Sequence, residues 1–520
     1  MLTKYAVKPQ SYQDSVQLMA ISSHLMTVPG IELAAAVMGT ESNRATLEQG
    51  GFVLDGSVKA GPEDIIIALQ GRNEAAFAEA LQAFDKMVQP RTVISGDGLP
   101  KQGPRSMRSA LKYLPGANLA VISVPGPYVT GEAFKALYAG LNVMIFSDNV
   151  SLEDEVALKR IAEQKDLFVM GPDCGTAIIN STPLCFANVI KRGPIGIVGA
   201  SGTGIQQTTV LIDRLGSGVS HAIGTGGRDL SDAVEGITML MGIDALEKDE
   251  NTKVILLVSK PPGANTYTKV LSRALKSIKP VVVAFLGGHA QEVAEEGVYS
   301  AANLEEAAAK SVALATGKDP RSVHFAFSRE GLDELVDREL KLLGPEQLYV
   351  RGLYSGGTLA DEATEILKPM LGEVNSNVLS QPGTINALRS NGHAIIDLGD
   401  DEFTKGRPHP MIDPSYRVER LLQESQDATV AVILCDVVLG YGSHPNPAGA
   451  VANAVRSFKG NSHRYVAVVA SVCGTEGDPQ TLSNQEDVLR QAGIVVLPSN
   501  ACAAEFAGKL AAACCERRIT

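Results

Sequence analysis

The chain has 520 residues, 45% hydrophobic and 20% charged, so it is too long for one core and the natural expectation is about three folded domains. A formal charge of −12 argues against nucleic acid or an anionic membrane as the main partner. The seven cysteines form no C-x-x-C pair and are odd in number, which excludes a disulfide framework and points to reduced thiols in a cytoplasmic protein. The N-terminus carries no secretory signal, and the longest apolar runs, such as Val281–Leu286, are strand-sized.

In chain order the expected strands are Asp64–Leu69, Leu119–Val124, Val143–Phe146, Phe168–Met170, Ile195–Val198, Val254–Val258, Val281–Leu286, Val430–Cys435, Tyr465–Ala470 and Ile494–Leu497. They alternate with longer amphipathic stretches, the pattern of parallel α/β units, and their continuous apolar character implies burial on both sheet faces. Residues 1–190 form a first block that closes at Lys191-Arg192-Gly193-Pro194. Residues 191–325 form a second, 326–345 a linker helix, and 346–520 a third.

Block two opens with Ile195–Val198 running into Gly199-Ala200-Ser201-Gly202-Thr203-Gly204 and a helix. Block three repeats the move: Tyr349–Tyr354 leads into Ser355-Gly356-Gly357-Thr358 and another helix. Glycines between strand and helix let backbone N–H groups approach an anion, the helix N-terminus adds partial positive charge, and the hydroxyls add donors. Two such turns suggest duplicated phosphate- or carboxylate-binding units. Gly202-Thr203-Gly204 continues as Ile205-Gln206-Gln207, so G-x-G-x-x-G is not completed, and no Walker A or H-E-x-x-H motif occurs.

Other strand ends supply further candidates. Gly224-Thr225-Gly226-Gly227-Arg228-Asp229 offers backbone at Gly226 and Gly227 and a guanidinium able to grip an anion bidentately, or else a surface Arg–Asp strand end. Lys260, after Ser259, could face the same crevice or simply be solvated. The polar loop Gly399–Pro414 contributes Arg407 and His409, and three of its acidic residues could hold a divalent ion, but without ligand spacing no metal is assigned. His444, in Gly442-Ser443-His444-Pro445, is an acid/base candidate or a helix-start hydrogen-bonder. Cys174 reads as a packed thiol, since no histidine partner can be named.

At Asp14–Met19, Phe146–Glu155, Met170–Thr176, Gly199–Gly204, Gly224–Leu230 and Gly406–Pro414 the chain resembles the FdrA family of the succinyl-CoA synthetase (acyl-CoA ligase) superfamily. The resemblance implies an α/β fold: a Rossmann-like CoA-binding-type domain over 1–190, then two flavodoxin-like, succinyl-CoA synthetase-like doubly wound domains. Those ligases use a phosphohistidine supported by a glutamate, with phosphate held at two facing helix N-termini. Here the glutamate position looks to be Lys260, the Gly-His-Ala-Gly segment is replaced around Gly297-Val298-Tyr299-Ser300, and His289 lies early. No stretch resembles an ATP-grasp domain. Block one has Ser11–Ser15 where the superfamily has a glycine-rich turn, so no cofactor is assigned and CoA is left open.

The resemblance therefore implies a subunit, working with separate partner subunits and in a possible homo-oligomer, that handles a carbamoyl or acyl phosphate as an oxamate carbamoyltransferase does. Ser201, Gly202, Thr203, Gly204, Ser355, Gly356, Gly357 and Thr358 would hold the phosphoryl group. Arg228 and Lys260 would neutralise an oxamate-like acid or the leaving phosphate. The alternatives are an NDP-forming acyl-CoA synthetase subunit with a partner nucleotide-binding chain, and a non-catalytic CoA or acyl-phosphate binder.

Overall fold

A computed structural model describes residues 2–11, 13, 15–54, 58–88, 104, 106–287, 297–321, 329–378, 390–404, 408–461 and 464–519. The first unit runs β1 (Leu2–Lys8), α1 (Ser15–Met26), β2 (Ile31–Met38), α2 (Glu41–Gln49), β3 (Ile65–Gly71), α3 (Glu74–Val88). Its sheet has the order β1-β3-β2 with both pairings antiparallel. Leu18, Ile21, Leu25, Phe77 and Phe84 cover one face; Leu47, Phe52 and Val58 cover the other.

The expectation of one Rossmann-like domain over 1–190 is corrected here. The parallel part starts only after α4 (Met107–Tyr113), with β4 (Leu119–Ile122), α5 (Gly126–Tyr138), β5 (Asn142–Ile145), α6 (Leu152–Gln164) and β6 (Val169–Met170). Ser11, in the segment expected to replace a phosphate turn, follows the antiparallel β1, and Ser15 opens α1. Strand direction is set by pairing partners, and the apolar run at 64–69 carries no record of them.

The second unit continues with β7 (Thr176–Ile179), β8 (Thr182–Cys185), β9 (Arg192–Gly199), α7 (Gly202–Arg214), β10 (Val219–Gly224), α8 (Ile237–Lys248), β11 (Val254–Ser259), α9 (Ala264–Ala274), β12 (Val281–Phe285), β13 (Val298–Ser300) and α10 (Leu304–Ala315). Its sheet order is β13-β12-β11-β9-β10-β7-β8. Strands β9 to β13 are parallel in the flavodoxin arrangement, and the chain reverses its winding between β9 and β11.

After α11 (Arg329–Leu340), the expected linker helix, the third unit has β14 (Tyr349–Tyr354), α12 (Gly357–Leu371), β15 (Val374–Ser376), β16 (His393–Asp397), α13 (Asp401–Thr404), α14 (Ser415–Gln426), β17 (Val430–Val438), α15 (Pro447–Asn461), β18 (Ala467–Cys473), α16 (Leu482–Gln491), β19 (Val495–Leu497) and α17 (Asn500–Ile519). This sheet, β15-β16-β14-β17-β18-β19, is wholly parallel and switches direction between β14 and β17.

Alternate residues of the second sheet bury on α7 and α10 on one face, and on α8 and α9 on the other. One apolar cluster joins α7 and α10 to α12 and α17, so the two parallel units share a core between their sheets. That shared core brings the two glycine turns face to face.

Candidate phosphate site at two facing helix ends

Both turns lie at a switch point, the place where a doubly wound sheet leaves a crevice beyond its strand ends. Ser201 caps α7, its Oγ accepting from Gly204 N at 3.0 Å. The same Oγ hydrogen-bonds Thr358 Oγ1 in the first turn of α12. Gly356 is pressed against the facing helix: a Cβ there would lie 2.8 Å from Thr203 Cγ2. A Cβ on Gly204 would meet Ser201 Oγ at 2.8 Å, so Gly204 leaves room for the cap while Gly356 permits the close approach of the two helices. Ser201, Thr203, Gly204, Gly356 and Thr358 are thus brought together as expected, with Gly202 and Gly357 opening the two helices.

The surroundings hold residues that the sequence reading missed. Asp397, at the end of β16, places Oδ2 2.5 Å from where a Gly357 Cβ would be, and Lys260 Nζ is 3.7 Å from the same point. Lys260 pairs with Asp361 of α12 at 2.7 Å, so the cation expected to be open to an anion already has a carboxylate from the third unit. Ser355 is engaged as well: its N and Oγ both donate to Asp436 Oδ1 at 2.9 Å. Arg417 Nη1 reaches Asp436 Oδ1 at 2.7 Å and Ser355 Oγ at 3.1 Å. Ser355 is therefore a buried anchor of the turn, and the hydroxyls that face each other across the two helix ends are those of Ser201 and Thr358. Asp436 had a signal: it is the sole charge in the apolar strand Val430–Val438.

Burial pushes Asp397 up to about 7, with Lys260 pulling it back and Asp400 and Asp436 adding to the rise. Burial likewise raises Glu362 of α12 to about 7 and Asp173 to about 6. These carboxyls bind protons more tightly folded than unfolded, so their contribution is most favourable below about pH 4 and declines as pH rises toward 7. Asp397→Asn should therefore flatten this slope. Urea midpoints at pH 5 and pH 8 are the check, and the gain over wild type should be larger at pH 8.

The remaining expected residues go elsewhere. Arg228 is bound to α6: Nε meets Glu155 Oε2 at 2.9 Å and Nη2 meets Val150 O at 2.8 Å. Its guanidinium thus ties the loop after β10 to α6 and the residues just before it. Gly226, at φ +84°, packs on the 171–172 segment, where a Cβ would lie 2.3 Å from Pro172 O; Gly227 has open space around its Cα. His409 Nδ1 accepts from Met411 N at 3.2 Å, which leaves the proton on Nε2, and a Gly399 Cβ would lie 2.6 Å from that nitrogen. Burial pushes this ring down to about 4, so it is neutral at pH 7. His444 Nδ1 accepts from Asn446 N at 3.0 Å before α15, the helix-start role. Burial pushes the Cys174 thiol up to about 12, as suits a packed thiol. Arg407 and His289 lie outside the described residues.

Three sequence models match the chain: CoA binding domain over residues 190–287, CoA-ligase over 353–510, and AllF, heavy metal-associated domain, over 1–101. The protein YahF of Escherichia coli (strain K12), described as uncharacterized, is 42% identical over 507 residues, covering 96% of this chain and 97% of YahF. The chain belongs to the YahF family, within the succinyl-CoA synthetase/acyl-CoA ligase superfamily. The succinate–CoA ligase [ADP-forming] subunit alpha 1 of Archaeoglobus fulgidus is 29% identical over 176 residues, 33% of this chain and 58% of that subunit. Among solved structures, the apo dinucleotide-forming acetyl-coenzyme A synthetase 1 of Ca. Korarchaeum cryptofilum aligns over 78% of this chain and 85% of its own, with 17% identity and a TM-score of 0.31.

The CoA-binding match falls on the second unit, whereas CoA-type binding was expected in residues 1–190. In this structure Gly356 and Thr358 of the third unit lie against the end of α7 that follows its glycine turn. Among the described residues no helix is long and apolar enough to cross a membrane.

Proposed function

We propose that the chain is a subunit of an acyl-CoA-ligase-type enzyme, and that it holds the phosphoryl group of an acyl phosphate between the N-termini of α7 and α12. The observation that carries this reading is the Ser201–Thr358 hydroxyl contact between two opposed helix ends. A phosphoryl group entering there exchanges one hydroxyl–hydroxyl bond for two hydroxyl-to-oxygen bonds, and both helix dipoles favour its charge. Positioning and electrostatics then supply the catalysis. A partner subunit supplies the nucleotide site, as the kinship with a ligase alpha subunit suggests. Within that superfamily the chain is of the FdrA type.

The ligase relatives support this over carbamoyl transfer, which stands second. The transfer reading has one observation of its own: the end of β11 offers Lys260, paired with Asp361, where a phosphohistidine would need a carboxylate.

Phosphate should stabilise the wild-type chain by up to about 2.7 kcal/mol at a hundredfold excess over Kd, read as a higher melting temperature, and leave Thr358→Val unmoved. With natural partner chains bound, ATP plus CoA should leave an acid-labile, base-stable phosphate label that vanishes in His289→Ala. Carbamoyl phosphate turnover that survives His289→Ala would replace the ligase reading with the transfer reading. Equal phosphate protection of wild type and Thr358→Val would sink both.

A further inference from the structure

The first unit matches a domain described as heavy metal-associated, yet its chemistry does not fit a heavy metal. Soft metal ions are held by thiolates, thioethers and imidazoles. Residues 1–101 contain no cysteine and one histidine, His24; the first cysteine of the chain is Cys174. Met38 is buried in the apolar cluster under α1, Met26 packs against it, and Met19 packs on the core shared by the parallel units. His24 closes α1, its carbonyl accepting from Thr27 N at 3.0 Å and Thr27 Oγ1 at 2.7 Å. Among the described residues, no group of three or more His, Cys, Asp or Glu is placed to hold an ion.

A carboxylate fastens the turn between β1 and α1. Asp64 Oδ1 accepts from Gln10 N at 2.9 Å, and Oδ2 accepts from Gly61 N at 2.7 Å. The carbonyl of Asp64 accepts from Gly39 N at 2.7 Å, and Ser11 N donates to Glu63 O at 3.1 Å. One residue thus joins the β1–α1 turn, the end of β2 and the turn before β3. The bonds from Gln10 and Gly61 favour the ionised form and hold the Asp64 carboxyl below the usual aspartate range. Gln10 itself sits at φ +50°, a left-handed conformation that its N–H bond to Asp64 helps to hold.

We infer that this unit is a metal-independent form of its fold, in which the Asp64 carboxylate, and no ion, fixes the turn between β1 and α1. The inference is separate from the phosphate site and stands whether or not that reading does.

The test uses the full chain, with accessible thiols alkylated by N-ethylmaleimide, incubated with Cu(I), Zn(II) or Cd(II), desalted and measured by elemental mass spectrometry. The expected result is well under one equivalent retained, with chelator leaving amide-exchange protection in residues 2–88 unchanged. Metal retained only before alkylation agrees with the inference, since every thiol lies at Cys174 or beyond. One equivalent retained after alkylation and lost in His24→Ala overturns it. In parallel, Asp64→Ala should lower exchange protection at Gln10 and Gly61 about 10- to 100-fold, the effect of losing hydrogen bonds to a charged group, with Asp64→Asn intermediate. Unchanged protection at those two amides in both variants overturns the assignment of Asp64.

Discussion

Lys159→Met is expected to destabilise the chain by about 3–5 kcal/mol, the cost of removing one partner from a buried ionic network. Lys159 is fully buried, and its Nζ bonds Glu155 Oε1 at 2.9 Å, Asp229 Oδ1 at 2.8 Å and Thr225 O at 2.9 Å. All three ammonium donors are used. Methionine fills similar volume, so packing is not the main loss; two carboxylates are left without their shared cation. Glu155 keeps Arg228, and Asp229 keeps the amides of Thr238 and Met239 at 3.2 and 2.9 Å. Those residual bonds place the effect toward the lower half of the range. Hydrogen exchange should show α6 and the 224–230 loop losing protection before the third unit does. Adding Asp229→Asn to Lys159→Met should recover part of the loss, because one stranded charge is gone.

This network also shows what the sequence could not display around Arg228. Sequence displays a cation after a glycine-rich strand end; it does not display the carboxylate that α6 brings from some seventy positions earlier. Lys260 repeats the lesson, since Asp361 lies in another unit. Strands buried on both faces were legible because parallel pairing demands long apolar runs, and Ile195–Val198, Val254–Val258 and Val430–Cys435 all fall inside strands. By contrast β1, LTKYAVK, is a half-exposed edge strand and β2, IELAAAVM, is alanine-rich, so neither stood out. The two glycine turns were legible as anion cradles, and their meeting followed from the superfamily resemblance. Illegible was the ring of acids behind them, because Asp397 and Asp436 reach the α12 turn only through the sheet order β16-β14-β17. Side-chain partners set by non-adjacent strands leave no local periodicity.

That ring supplies the second large effect. Arg417→Met is expected to cost about 3–5 kcal/mol and to abolish phosphate protection of the chain. Arg417 Nη1 holds both Asp436 Oδ1 and the Asp436 carbonyl at 2.7 Å, and both side chains are buried. Without the guanidinium, Asp436 retains Ser355 N and Oγ, and its other oxygen, Oδ2, has no hydrogen-bond partner among the described residues even in the intact protein. A buried carboxylate stripped of its cation draws in water or moves toward another donor. Each route disturbs Ser355, the residue that leads β14 into the Gly356–Thr358 turn. The turn then loses the placement that sets Thr358 against Ser201, so phosphate protection should vanish along with stability. A general loss of stability would also lower the melting temperature, so the informative quantity is the difference between melting with and without phosphate. Arg417→Met with Asp436→Asn should regain stability, because no buried charge is stranded, but it should regain phosphate protection only if the Ser355 bond re-forms to the amide oxygen. If Arg417→Met keeps full phosphate protection at reduced stability, the buried ion pair is a fold element alone and the helix-end site is positioned by the shared core of α7 and α12 without it.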